Sequence, residues 1–249
     1  MTTSIIHPDA RIGSNVKIGD FCKIYPNVVI SDNVAIGDFC SIGHPSPHAG
    51  GEPLRIGADA VIRSHSVLYE GTLIGEGLVT GHHIVIRECA HIGQGFQLGT
   101  RGDVQGHCRI GNFVKTHSGV QINHQTVIED FVWLFPNVQV TNDPHPPSDS
   151  LEGVTIRRFA AVGACACLIA GVEIGEGALV AAGAVVTKNA PANRIMAGVP
   201  ARDRGPTSTI RFRDGSNRPA YPWRRHFHRG YPPEVVARWL EDLKEEPWD

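Results

Sequence analysis

Aliphatic residues recur at every sixth position along most of this 249-residue chain, in three blocks that each keep their phase. The first block is Ile6, Ile12, Ile18, Ile24, Ile30, Ile36 and Ile42. The second runs from Ile56 to Val140, interrupted only by Thr80 and Thr116, and the third from Ile156 to Val186. Of 28 such positions 26 are aliphatic, too regular for chance at 41% hydrophobic content. A period of six matches neither an amphipathic helix nor the alternation of a single strand. It matches a coil with three short flat faces, in which three hexads close one turn and residues 18 apart stack on adjacent rungs, about 4.8 Å apart as in any β ladder. The fold class expected is therefore all-β, a solenoid whose aliphatic residues fill the axis and whose preceding small or β-branched residues fill the space beside it. Gly follows the aliphatic residue at positions such as Gly57, Gly75, Gly93 and Gly111, where it is expected to supply corner conformations. One continuous core is expected from residue 1 to about residue 190.

Breaks in phase locate two excursions. The step from Ile42 to Ile56 is 14 residues and that from Val140 to Ile156 is 16, so loops are expected at 44–54 and 142–151, both rich in Pro and His. Loops on a rigid scaffold often carry function. The hexads stop near Pro200, which divides the chain into a repeat domain, 1–200, and a C-terminal extension, 201–249. In the extension Val235, Val236, Trp239, Leu240 and Leu243 share one face of a helix expected at about 233–246.

Composition narrows the partners. A formal charge of -2 and a pI near 6.7 provide no field for polyphosphate, so nucleic acid is not an expected partner. No apolar run is long enough to span a bilayer and no signal peptide is evident, so no membrane association and a cytoplasmic location are expected. The six Cys contain no CxxC pair. They are expected to be reduced, four of them at small inward positions of the repeat.

The repeat, together with the segments 175–189 (GEGALVAAGAVVTKN) and 197–202 (AGVPAR), resembles the hexapeptide-repeat acyltransferase family over about four fifths of the chain. The segment 118–131 (SGVQINHQTVIEDF) is similar to the active-site coil of sugar-nucleotide amino-sugar N-acetyltransferases. The resemblance implies a left-handed parallel β-helix, a homotrimer with clefts between neighbouring subunits, acetyl-CoA as cosubstrate and a nucleotide-linked amino sugar as acceptor. No metal is expected. By the same match His124 is the general base, with Gln125 standing where the family usually has a carboxylate to orient the ring.

The chemistry asks independently for such a group, because an amine or hydroxyl attacking a thioester must lose a proton and His titrates near neutrality. Stacking arithmetic places Asn142 one rung above His124, Gly106 one rung below it, and His107 beneath Gln125. Asn142 is thus a catalytic candidate that can hold a hydroxyl or polarise the thioester carbonyl. His107, Asn123, Gln125, Asp143 and His145 are substrate-binding candidates. For the cofactor, the resemblance implies pantetheine running along late coils. Gly163, Ala164, Ala182 and Gly183 are then backbone contacts, and Lys188, Arg194 and Arg202 are partners for CoA phosphates. Two alternatives remain open: a γ-class carbonic anhydrase-like metalloenzyme using His117 and His124 with His82 or His83, and an O-acetyltransferase of a sugar or small hydroxyl substrate.

Overall fold

The computed structural model describes residues 3–244. Between Ile5 and Val186, 28 strands of two to four residues wind into three parallel sheets. Each hexad supplies one strand, and each strand pairs in register with the one three strands later, as Ile86↔Val104, Val104↔Ile122 and Ile122↔Val140 illustrate. This is the left-handed β-helix, with first, second and third faces met in that order along the chain. A hairpin, Arg194–Gly198 with Ala201–Pro206, extends the third-face sheet at its upper end, its first strand pairing parallel to Leu179–Val180 and its second antiparallel to the first. The last coil strand is Val185–Val186, and the hairpin spans residue 200, the boundary expected from the sequence.

The axis is filled as the pattern requires. Ile42, Leu68, Ile86, Val104, Ile122, Val140 and Leu168 form an unbroken buried column under the first face. Thr80 and Thr116, the two polar members of the repeat, are also buried. Each satisfies its hydroxyl by accepting a backbone N–H, from Arg63 at 2.9 Å and from Gly99 at 3.2 Å. A buried acceptor so paired costs little.

Three expectations need correction. The core begins near Cys22 rather than at residue 1: Ile5, Ile6 and Ile12 are 66%, 46% and 37% exposed, because the first coil has a neighbouring rung on one side only. Apart from Gly43, with φ 80°, the glycines that follow the aliphatic residues do not supply the corner conformation. At Gly75 a Cβ would lie 2.8 Å from the Gln94 nitrogen of the next coil, so glycine is needed there for close approach of stacked backbones. The left-handed conformation falls two residues later, on residues such as Asp59, His65, His107, Phe113 and Gln125, with φ between 55° and 63°. Lastly, three cysteines are buried rather than four inward: Cys22, Cys40 and Cys108. Cys165 is exposed at a corner, and Cys89 and Cys167 are half-buried. Burial pushes the Cys108 thiol up to about 12 and the Cys40 thiol to about 11, which makes both inert packing groups. All six are free thiols.

The helix of the extension, α1 (Pro233–Asp242), starts with Pro in its first turn and ends earlier than the sequence suggests; Glu245 and Glu246 lie outside the described residues. It packs on a ladder of stacked rings, Phe113, Phe131 and Phe159, presented by successive corners. Trp239 is buried against Phe131, Phe159, Trp223 and Tyr231. Lys115 ties the extension down by donating to the carbonyls of Arg229 and Gly230 at 3.2 Å each, with its ammonium 3.9 Å from the Tyr231 ring centroid. Burial and the nearby Arg229 lower its pKa to about 8. Among the described residues no helix is long and apolar enough to cross a membrane.

Candidate active site

His124 lies on the corner between the first and second faces, directly after the strand Gln121–Ile122. That corner is pinned from inside. The Thr126 hydroxyl donates to the Asn123 carbonyl at 2.6 Å, and the Cys108 thiol of the coil below reaches the same oxygen at 3.2 Å. A backbone fixed in this way leaves the imidazole little freedom beyond its own torsions, the kind of preorganisation that a base needs.

Both excursions leave the helix at this same edge. The first follows Ser41–His44 and the second follows Gln139–Val140. Between them the edge carries four short corners that place on it, from bottom to top, Tyr69 and Glu70, Arg87 and Glu88, Gln105 and His107, then Asn123 and His124. Five rungs of about 4.8 Å separate the two loops, a window of roughly 24 Å. The loops therefore frame the histidine from above and below.

Within the window the His107 and His124 rings meet edge to face, with centroids 4.9 Å apart. Gly106 lies between His124 and the coil beneath, and a Cβ there would stand 3.0 Å from the Glu88 carbonyl and 3.4 Å from its Oε1. Glu88, which sequence reasoning missed, is 4% exposed and is held by Arg87 through Nη2 at 2.8 Å and Nε at 3.2 Å. Burial alone would raise its carboxyl, but its own backbone N–H and the Arg87 guanidinium hold it below the usual range. His124 is shifted down in turn, first by burial and then by His107, while the Glu88 charge opposes both. At neutral pH the imidazole is therefore held in its neutral, proton-accepting form. The signal for Glu88 was present as arithmetic, since it stands two coils, 36 residues, before His124.

The same face continues the polar network. Gln105 donates to Asp103 Oδ2 at 2.9 Å, and Asp103 Oδ1 is buried without a hydrogen-bond partner among the described residues. Burial pushes the Asp103 carboxyl up.

Other sequence candidates divide by position. Asn142 and Gln125 reach the edge as stacking predicts, and the Asn142 carbonyl closes the second loop by accepting the Glu152 N–H at 2.8 Å. The Asp143 carboxylate is engaged by its own loop, accepting from the His145 and Ser148 backbone and from the Ser148 hydroxyl, while His145 is exposed. Gly163, Ala164, Ala182 and Gly183 sit on the corner between the third and first faces. That edge is a full face away from His124 within one chain. Lys188 is exposed on the His124 edge, three coils higher. Arg194 is already paired with Asp203 at 2.8 Å, and Arg202 is exposed on the terminal hairpin. His82, His83 and His117 occupy the third-to-first edge, with His117 stacked on Phe135. They are thus separated from His124 by the first face, and among the described residues no group of three His, Cys, Asp or Glu is arranged to hold a metal.

The repeated coil and its turns define a left-handed β-helix, and a family model described as bacterial transferase hexapeptide (six repeats) matches residues 15–46. The bifunctional protein GlmU of Desulfitobacterium hafniense is 26% identical over 166 residues, 55% of this chain and 36% of that protein. The serine acetyltransferase of Salmonella typhimurium is 31% identical over 117 residues, 45% of this chain and 37% of that protein. The chain thus matches only about a third of the length of these curated relatives. Among solved structures, LpxA of Bacteroides fragilis, a UDP-N-acetylglucosamine acyltransferase, superposes with a TM-score of 0.50 at 19% identity, covering 99% of this chain and 85% of that one. At that identity the likeness is one of fold.

Proposed function

We propose that this protein is an acetyl-CoA-dependent acyltransferase whose acceptor is the amine of a nucleotide-linked amino sugar, with His124 as general base. The observation that carries the proposal is the pinned corner with a neutral, half-buried imidazole framed by two loops. Relatives named as acetyltransferases support the class of reaction. In the proposed reaction the acceptor amine attacks the thioester carbonyl carbon while His124 takes its proton. The tetrahedral intermediate then collapses, the carbon–sulfur bond breaks, and the proton passes from His124 to the departing sulfur, leaving an amide and free CoA thiol. No covalent enzyme intermediate is required. Asn142 and Asn123 are placed to hold acceptor hydroxyls. The glycine and alanine track at the opposite edge meets a His124 edge only if a second chain supplies one of them, which favours a closed homotrimer.

Thiol release from acetyl-CoA, measured across a panel of UDP- and dTDP-linked amino sugars, serine and simple sugars, tests this. Release that needs an amino sugar and survives chelators is expected. A response to hydroxyl acceptors alone selects O-acetylation. Bicarbonate dehydration that chelators abolish, with no thiol release on any acceptor, sinks the proposal in favour of a metalloenzyme.

Glu88 is the carboxylate that supports His124 in place of the one absent at Gln125. Glu88→Gln removes a negative charge that raises the His124 pKa and leaves Arg87, which lowers it. Because activity requires the deprotonated ring, the acid limb of the kcat/KM profile is expected to move to lower pH. A variant with reduced activity but an unmoved limb would reduce Glu88 to a packing role.

A further inference from the structure

The second face begins where the His124 corner ends, and it carries a column of basic side chains that no part of the reading above uses. Arg55, Leu73, His91 and Arg109 are register partners on four successive strands, all exposed. They line an open cleft of about 970 Å³, with Arg158, Glu129 and Asp130 on its other side. The two acids are already engaged. Glu129 takes the Arg157 guanidinium at 2.7 Å and the Arg158 backbone N–H at 3.0 Å, and Asp130 Oδ1 accepts the Asn112 N–H at 2.7 Å. Arg87 on the first-to-second edge and Arg157 on the second-to-third edge are both paired with carboxylates. Arg55 and Arg109, by contrast, have no carboxylate partner among the described residues.

From this column we infer that the second-face cleft binds a diphosphate group. The rungs put His91 about 4.8 Å below Arg109 and Arg55 about 10 Å below His91. An anion with two adjacent phosphoryl groups can thus take donors from neighbouring rungs at its upper end, while the rest of the molecule runs along the groove towards Arg55. Guanidinium forks suit phosphate oxygens because they donate in bidentate fashion and stay charged at all working pH values. Position ties the cleft to the chemistry. Val127, three residues past His124, is the rung partner of Arg109, so the column starts one corner and one rung from the imidazole. A ligand whose diphosphate rests on Arg109 and His91 therefore has its next group at the His124 corner.

Two molecules carry this group under the acetyl-transfer reading, on which the naming of sources rests: the nucleotide-linked acceptor and CoA itself. Binding separates them. Equilibrium titrations of the full chain with UDP, dTDP, inorganic pyrophosphate and CoA, without acyl donor, are compared for wild type and Arg55→Ala/Arg109→Ala. Both arginines are exposed on a regular scaffold, and circular dichroism with an Arg109→Lys control checks the fold. A loss of about tenfold or more in affinity, as the lost bidentate contact from Arg109 would give, together with weaker wild-type binding at high salt, is the expected result. Loss for the nucleotides assigns the cleft to the acceptor, and loss for CoA assigns it to the donor. Unchanged affinity for every diphosphate, or no binding of any of them by wild type, overturns the inference. The same titrations on His124→Ala keep the two proposals apart, since arginine-dependent binding there stands even where no acyl transfer is found.

Discussion

His124→Ala is expected to lower kcat for acetyl transfer by about a hundredfold to ten-thousandfold, the usual contribution of a positioned general base, with KM for the acceptor changed far less. The reasoning rests on what the substitution leaves intact. The corner is held by the Thr126 hydroxyl and the Cys108 thiol on the Asn123 carbonyl, neither of which involves the imidazole, so the backbone and both loops keep their places. What is lost is the group that accepts the amine proton as the carbon–nitrogen bond forms. An interaction made only in the transition state shows in kcat and kcat/KM together. Steady-state kinetics across pH provide the check. The residual rate should rise with pH as free amine accumulates without the enzyme's own base, and a variant within about tenfold of wild type would remove His124 from the mechanism.

Trp239→Ala is expected to detach the C-terminal extension while the coil stays folded. The indole is 2% exposed and touches four aromatic rings, and truncating a buried Trp costs about 3–5 kcal/mol. Its Nε1 is buried without a partner among the described residues, which puts the loss towards the lower end, because the variant also removes an unsatisfied donor. A coil contacts mainly its own neighbours, so the damage should stay local. Limited proteolysis should then cut between residues 207 and 230 at a protease dose that leaves wild type intact, with the strands up to Val186 still protected against hydrogen exchange. Equal resistance of the two proteins would show that Lys115 and the remaining rings suffice to hold the extension.

The sequence discloses the coil because the constraint repeats. Each inward aliphatic position faces the same steric demand on every rung, so the pattern is read many times over. The neighbourhood of His124 is legible for the same reason, and residues 18 apart stack as expected at Gly106 and Asn142. Glu88 escaped because it belongs to no motif around the histidine, although a second step of 18 reaches it. The role of the glycines was misassigned because a small residue beside a corner is compatible with two demands, left-handed backbone or close approach of the next coil, and only coordinates separate them. The docking of the extension was hidden for a different reason. It depends on Phe113, Phe131, Phe159 and Trp133, whose side chains leave the surface at non-inward positions where the repeat imposes no residue type. Phe131 and Phe159 are moreover 28 residues apart because the second loop intervenes.

The placement of both loops on one edge has a consequence for how this chain tolerates changes of length. Removing one whole coil of about 18 residues between Tyr69 and His124 would shorten the distance between the loops by a single rung and leave every remaining side chain on its original edge. Removing one hexad would instead turn everything downstream by a third of a revolution, carrying the second loop away from the first. The gap between the loops is thus a quantised spacer, adjustable in steps of about 4.8 Å. Inserting or deleting whole coils would lengthen or shorten that spacer while leaving the reactive edge as it is.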